Sequence, residues 1–198
     1  GQSVIRVQPD ETEIYIAVDT LADTADASKN KNNGITDKIY AALYKIGIPR
    51  DSIETQGFNI YEDIDWSNGS RKSLGYKTTH SIKITTTSFD QVGKIVDEAT
   101  NAGATGINGI NFGLSKNKEN EIKKQVLAEA SKDAKEKAEA IISGVNGKLG
   151  KLVSITYNDY NYVPYPLYNR AMAVAEVNTK ELTQISPGKL EVSASVQV

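Results

Sequence analysis

Gly75-Tyr76-Lys77-Thr78-Thr79-His80-Ser81-Ile82-Lys83-Ile84-Thr85-Thr86-Thr87-Ser88-Phe89-Asp90-Gln91-Val92 contains the change of period that decides the fold. Up to Thr87, Tyr76, Thr78, His80, Ile82 and Ile84 fall at every second position and share one face of a strand. From Ser88 the spacing becomes three and four, and Phe89, Val92, Ile95, Val96 and Ala99 form the stripe of an amphipathic helix. Ser88 stands at the N-cap position and Gly103 at the stop. A half-buried strand therefore runs into a helix that must cover a sheet.

Working outward, Ser52 to Ile64 reads as the preceding strand, carrying Ile53, Phe58, Ile60 and Ile64. The polar loop from Asp65 to Ser73, centred on Asn68-Gly69, joins it to the strand from Gly75. Earlier, Ile14, Ile16 and Val18 alternate within Glu13–Asp19, another half-buried strand. A helix is expected from about Asp23 to Lys45, with Ile35, Ile39, Leu43 and Ile46 at helical spacing, Gly47 as its stop and Pro49 beyond. Its early part, Lys29-Asn30-Lys31-Asn32-Asn33-Gly34, is poor in helix formers. Ile107 to Leu114 is a further strand, with Ile110, Phe112 and Leu114 on one side. Residues 12–115 thus run strand, helix, strand, strand, helix, strand, the order of a ferredoxin-like βαββαβ unit. An antiparallel sheet with two helices on one face is expected.

The rest extends that unit. Asn117 to Asn146 reads as a long helix with the stripe Ile122, Val126, Ala130, Ala134, Ala138, Ile141 and Val145, expected to face a sheet of its own chain. Leu152 to Tyr157 reads as a strand, 158–184 as a Tyr/Pro/Asn loop, and Leu190 to Val198 as the last strand after the Pro187-Gly188 turn. The terminal strands, Val4–Val7 among them, and 152–157 are expected to make a second small sheet. The fold class is α+β, one domain over 1–198, with sub-parts 12–115 and 116–198 plus 1–8.

Composition narrows the function classes. The 198 residues are 39% hydrophobic and 24% charged, in the range of a globular protein. A net charge of −2, with Lys outnumbering Arg 19 to 4, gives no electrostatic case for nucleic acid. No apolar run approaches the ~18 residues of a membrane-spanning helix. With no Cys and one His, the chain lacks what most hydrolytic, redox and zinc chemistry uses. Gly103, Gly106, Gly109 and Gly113 lack the strand–GxGxxG–helix context and read as turns and close packing. No catalytic residue and no cofactor is expected, and His80 reads as a packed, hydrogen-bonded histidine.

Two segments offer contact chemistry. Asp63-Ile64-Asp65-Trp66-Ser67-Asn68-Gly69 spaces the oxygens of Asp63, Asp65 and Ser67 as a Ca²⁺ loop does. Its Gly comes one residue late and the twelfth position is Leu74 rather than Glu, so a solvated hairpin loop is the expectation. Tyr157, Tyr160, Tyr162, Tyr165 and Tyr168 crowd one loop with Pro and Asn, suited to a protein partner or to sugar stacking. Trp66 joins Tyr160, Tyr162, Tyr165 and Tyr168 as a contact candidate.

Several phrases in order resemble one family. They are Pro9-Asp10-Glu11, Ile53-Glu54-Thr55-Gln56-Gly57-Phe58-Asn59-Ile60-Tyr61, Gly75-Tyr76-Lys77-Thr78-Thr79-His80-Ser81-Ile82, the Ala-rich helix from Glu129 to Glu139, the Lys148-Leu149-Gly150 turn and Ser186-Pro187-Gly188. Together, over essentially the whole chain, they resemble the SIMPL-domain family. That family is commonly exported and mostly of unknown function. It includes a periplasmic or outer-membrane immunogenic protein that assembles into a ring-like oligomer, and it offers no established catalytic residues to transfer. The resemblance implies an extracytoplasmic protein (periplasmic, cell-surface or secreted) that is non-enzymatic and acts by self-assembly, as a homo-oligomer, or by binding. The alternative is a monomeric module that binds a glycan or protein through 157–168.

Overall fold

The computed structural model describes residues 1–67, 69–162, 165–167, 183 and 185–198. The strands are β1 (Gln2–Val7), β2 (Glu11–Ala22), β3 (Ile53–Asp65), β4 (Lys72–Thr86), β5 (Gly106–Gly113), β6 (Thr156–Tyr162), β7 (Tyr165–Leu167) and β8 (Leu190–Gln197). The α-helices are α1 (Ala25–Lys45), α2 (Val92–Asn101) and α3 (Lys116–Ser143). Two sheets form, one in the order β3-β4-β2-β5-β7 and one in the order β1-β8-β6. The architecture is α+β, and β2-α1-β3-β4-α2-β5 follows the expected βαββαβ order.

The chain divides into two compact units. The unit containing Glu11–Asn111 is built on strand alternation. Ile14, Ile16 and Val18 of β2 pair with Ile84, Ile82 and His80 of β4 in an antiparallel register. β3 pairs antiparallel with the other edge of β4, so β3 runs parallel to β2. All of these β2 and β4 side chains are buried, with Ile39 and Leu43 of α1 and Val92, Ile95 and Ala99 of α2 packed over them. The opposite face carries a charge ladder, in which Lys83 Nζ lies 3.1 Å from Glu54 and 3.5 Å from Glu13. Lys77 reaches Asp19 at 3.0 Å. Such cross-strand pairs fix register more than they add stability.

The whole of α1 is helical, including its weak early part. Thr24 caps it by accepting the Ala27 amide. Ser28, Asn32 and Thr36, four residues apart, continue the inner face of Ile39 and Leu43 and are buried. The sheet supplies what their polar atoms need, as set out below. Gly47 then closes the helix at φ 89°, a conformation that favours Gly.

The helix start at Ser88 is a correction. Residues Phe89–Gln91 form a 3₁₀ turn, and the Ser88 side chain makes no capping hydrogen bond. Its amide instead donates to Thr86 Oγ1 at 3.1 Å.

The other unit comprises Gly1–Asp10, Phe112–Tyr165 and Pro187–Val198. Here α3 lies on the β1-β8-β6 sheet. Asp10 anchors its start: its carboxylate accepts the Ser115 amide and the Ser115 hydroxyl, both at 2.7 Å. Ser115 in turn caps α3 at the Lys118 amide. The core is Leu114, Ile122, Val126, Leu190, Val192 and Ala194.

Two further expectations need correction in this unit. The strand expected over 152–157 begins only at Thr156 and runs to Tyr162, into the segment expected to be loop. Thr156 pairs with Gln197, the last residue of β8. The stripe of α3 is buried only from Ile122 to Ala134, while Ile141 is 75% and Val145 72% exposed. At about 1.5 Å per residue α3 is about 42 Å long, and its last turns lie beyond the buried part of the stripe.

Candidate contact surfaces

His80 sits on β4 facing α1, 8% exposed. Its Nδ1 is hydrogen-bonded to Thr36 Oγ1 at 3.1 Å and its Nε2 to Thr55 Oγ1 at 3.0 Å. Phe58 lies edge-on to the ring with centroids 5.3 Å apart. Burial holds the imidazole below its ordinary pKa and favours the neutral form. The ring is the end of a polar seam under α1. Thr36 contacts Asn32 Oδ1, and Asn32 Nδ2 donates to the Val18 carbonyl at 2.7 Å. Ser28 Oγ lies 2.8 Å from Thr78 Oγ1 and donates to the Thr20 carbonyl. These hydroxyls and the amide satisfy one another, which makes the seam a specific lock between helix and sheet rather than an open site.

The oxygens of the 63–69 segment are partly engaged. Asp63 and Asp65 end β3, and a register irregularity separates Asp63 from Ile64. Asp65 Oδ1 accepts the Ser67 amide at 2.8 Å, which lowers the Asp65 pKa and leaves Ser67 as a turn residue. Among the described residues no group of three or more His, Asp or Glu side chains is arranged to hold a metal ion. Trp66 is 62% exposed beside this turn.

The tyrosines separate. Tyr162 is half-buried against the core of its unit, and its Oη accepts the Leu114 amide at 2.7 Å. That hydroxyl fastens β6 to the start of α3, so Tyr162 serves the fold. Tyr160 and Tyr165 contribute backbone to β6 and β7, and their side chains lie outside the described residues, as does Tyr168. Tyr157 is 58% exposed.

Each unit has large apolar side chains that are exposed. In the ferredoxin-like unit, β3 is an edge strand, and Phe58 (41%) and Ile60 (38%) point to the helix side of the sheet where α1 stops covering it. Tyr44, stacked at a tilt on Tyr40, is on the flank of α1 away from Ile35, the residue that meets Gly103 at the end of α2.

In the other unit, the interface between α3 and its sheet is open at one end. Tyr157 pairs with Val196, so both face the helix, and Val198 continues that face two residues on. Between them and α3 lies a cleft of about 400 Å³ bounded by Ala134, Lys137, Ala138, Ile141, Tyr157 and Val198, among others. Sequence periodicity identified Ile141 and Val145 as stripe residues but could not show that they are left exposed.

Known proteins place the chain. It matches the profile of SIMPL, described as a protein of unknown function (DUF541), over residues 1–198. It is 28% identical to the 26 kDa periplasmic immunogenic protein of Brucella melitensis over 211 aligned positions, covering 100% of this chain and 81% of that protein. It is 23% identical to the uncharacterized protein YggE of Escherichia coli K12, covering 91% of this chain and 73% of that protein. YggE of Edwardsiella ictaluri is 21% identical over 93% of this chain. The chain belongs to the SIMPL family.

Proposed function

We propose that this protein works outside the cytoplasm, in the periplasm, at the cell surface or after secretion, and acts by self-assembly or binding rather than by catalysis. One observation carries this reading: each unit leaves large apolar side chains in water, Phe58, Ile60 and Tyr44 in one and Ile141, Val145 and Tyr157 in the other. Exposed side chains of this kind are what a docking surface is built from. The buried histidine fits the same reading, since its two ring nitrogens are engaged by threonines inside the fold. The periplasmic name of the Brucella relative supports the location. No helix among the described residues is long and apolar enough to cross a membrane.

The test is sedimentation velocity from about 1 to 200 μM, a range that brackets the micromolar affinities of weak specific interfaces. Species heavier than the 21.5 kDa chain, rising with concentration, are expected. A single 21.5 kDa species throughout would remove self-assembly from the reading.

A further inference from the structure

We infer that the free edge of β3 takes an extended peptide of another protein as an added strand, one whose apolar side chains alternate with basic ones. The inference rests on the binding half of the reading above and names the surface and the chemistry of the partner. β3 ends the five-stranded sheet, with β4 on one side and, among the described residues, no strand on the other. A strand so placed turns alternate backbone N–H and C=O groups outward, and a second extended chain satisfies both. Sheets ordinarily protect their edges with short strands, Pro, Lys or bulges. The opposite edge of this sheet does so, since β7 is only Tyr165-Pro166-Leu167. β3 has no Pro, Lys or Arg over Ile53–Asp65. Its register shifts, at Thr55/Gly57 and Asp63/Ile64, bracket a stretch from Gly57 to Asp63 that runs unbroken along β4 for about 24 Å. Phe58, Asn59, Ile60 and Tyr61 are all exposed although they alternate between the two faces, as in a strand open along its edge.

The two faces specify the occupant. Phe58 and Ile60 stand opposite His80 and Thr78, on the helix side of the sheet. An added strand sets every second side chain about 5 Å from them, and apolar residues suit those positions. The intervening side chains fall beside Asn59, Tyr61 and Asp63 on the other face. β3 carries Glu54, Glu62, Asp63 and Asp65 and no cation. Lys83 engages Glu54 and Arg71 engages Glu62. The lysines of β4 lie one strand further from the added chain than these carboxylates do, so Lys or Arg is favoured at the intervening positions. Pairing with the β3 edge of a second copy would bring acidic strand against acidic strand, and like charges across a strand pair are unfavourable.

The probe is a fluorescent synthetic peptide of about nine residues in which isoleucine alternates with lysine and threonine. It is expected to bind the whole chain with a Kd in the micromolar range, and to slow hydrogen exchange over residues 57–63 while leaving β2 unchanged. A version N-methylated along its backbone keeps the side chains and loses the donors, and should bind at least about tenfold more weakly. Ile60→Lys, at a 38% exposed position, should weaken binding of the unmethylated probe by a similar factor. Val153→Lys, at a 96% exposed position in the other unit, should bind like the parent. The exchange measurement uses the parent chain, so it decides the matter even if a variant fails to fold. Equal affinity for the methylated and unmethylated probes, or protection that misses 57–63, overturns the added strand. So does the absence of binding up to about 1 mM. Slowed exchange over 57–63 on concentrating the chain alone makes the occupant a second copy and overturns the separate partner. Sedimentation of the chain without peptide decides self-assembly independently of all these results.

Discussion

Replacing Ala130 by Leu probes how closely α3 approaches its sheet. Ala130 is 0% exposed and lies between Val126 and Ala134 on the packed face of the helix. The N-terminal strand touches the helix backbone there: a Cβ on Gly1 would fall 2.1 Å from the Ala130 carbonyl oxygen. Three added carbons have nowhere to go without moving β1 or β8, and overpacking a dense core costs about 1–3 kcal/mol. We place Ala130→Leu in the upper half of that range, because backbone rather than a flexible side chain must yield.

Ala134, one turn on, is also buried but borders the cleft, so a Leu there has room on one side and should cost less than at Ala130, about 1 kcal/mol. Lys135→Ala, at a side chain 71% exposed in an ion pair with Glu139, should change stability by about 0.5 kcal/mol or less. Urea melts followed by far-UV circular dichroism read all three. With a slope of about 1–3 kcal/mol/M, a 2 kcal/mol loss lowers the midpoint by about 1 M. A midpoint for Ala130→Leu equal to the parent's, or a larger cost at Ala134 than at Ala130, refutes the packing described here.

Three other outcomes are expected. His80 is held below its ordinary pKa by burial, so the unfolded chain takes up the proton first as pH falls; stability should therefore drop from about pH 6.5 down to the folded-state pKa and level off below it, in urea midpoints taken between pH 7.5 and 5. As the only histidine it makes the test clean: His80→Gln should remove that part of the slope, and an NMR titration of the ring at or above pH 6.5 would sink the explanation. Asn32→Ala deletes the amide that bridges α1 to the Val18 carbonyl and should cost about 1–3 kcal/mol, whereas Asn33→Ala on the wet side should be neutral or slightly stabilising; equal effects in thermal melts would count against the seam. Tyr162→Phe removes the acceptor of the Leu114 amide and should destabilise by about 1–2 kcal/mol while leaving sedimentation unchanged; a variant that loses association at full stability would return Tyr162 to the contact surface.

Period was the legible signal, and it failed where structure depended on something distant. The alternation of Ile14, Ile16 and Val18 against Thr78, His80, Ile82 and Ile84 was readable because a strand buried on one face writes its period locally. The early half of α1 read poorly because Asn and Ser are weak helix formers. Yet Ser28, Asn32 and Thr36 stand four apart on the face of Ile39 and Leu43, a spacing that marks an inner polar stripe once those residues are allowed to be buried and bonded. The start of β6 at Thr156 could not be read, since Leu152, Val153 and Ile155 just before it are strand-forming too. The exposure of Ile141 and Val145 could not be read either: the stripe was in the sequence, its lack of cover was not.

The most direct measurement is hydrogen–deuterium exchange of the whole chain at about 1 μM and about 100 μM, on either side of a micromolar association. Self-assembly through the exposed apolar side chains should slow exchange at the higher concentration in peptides around Phe58 and Ile60 or around Ile141 and Tyr157, and not in β2. Exchange that is the same at both concentrations in all of these peptides would contradict it.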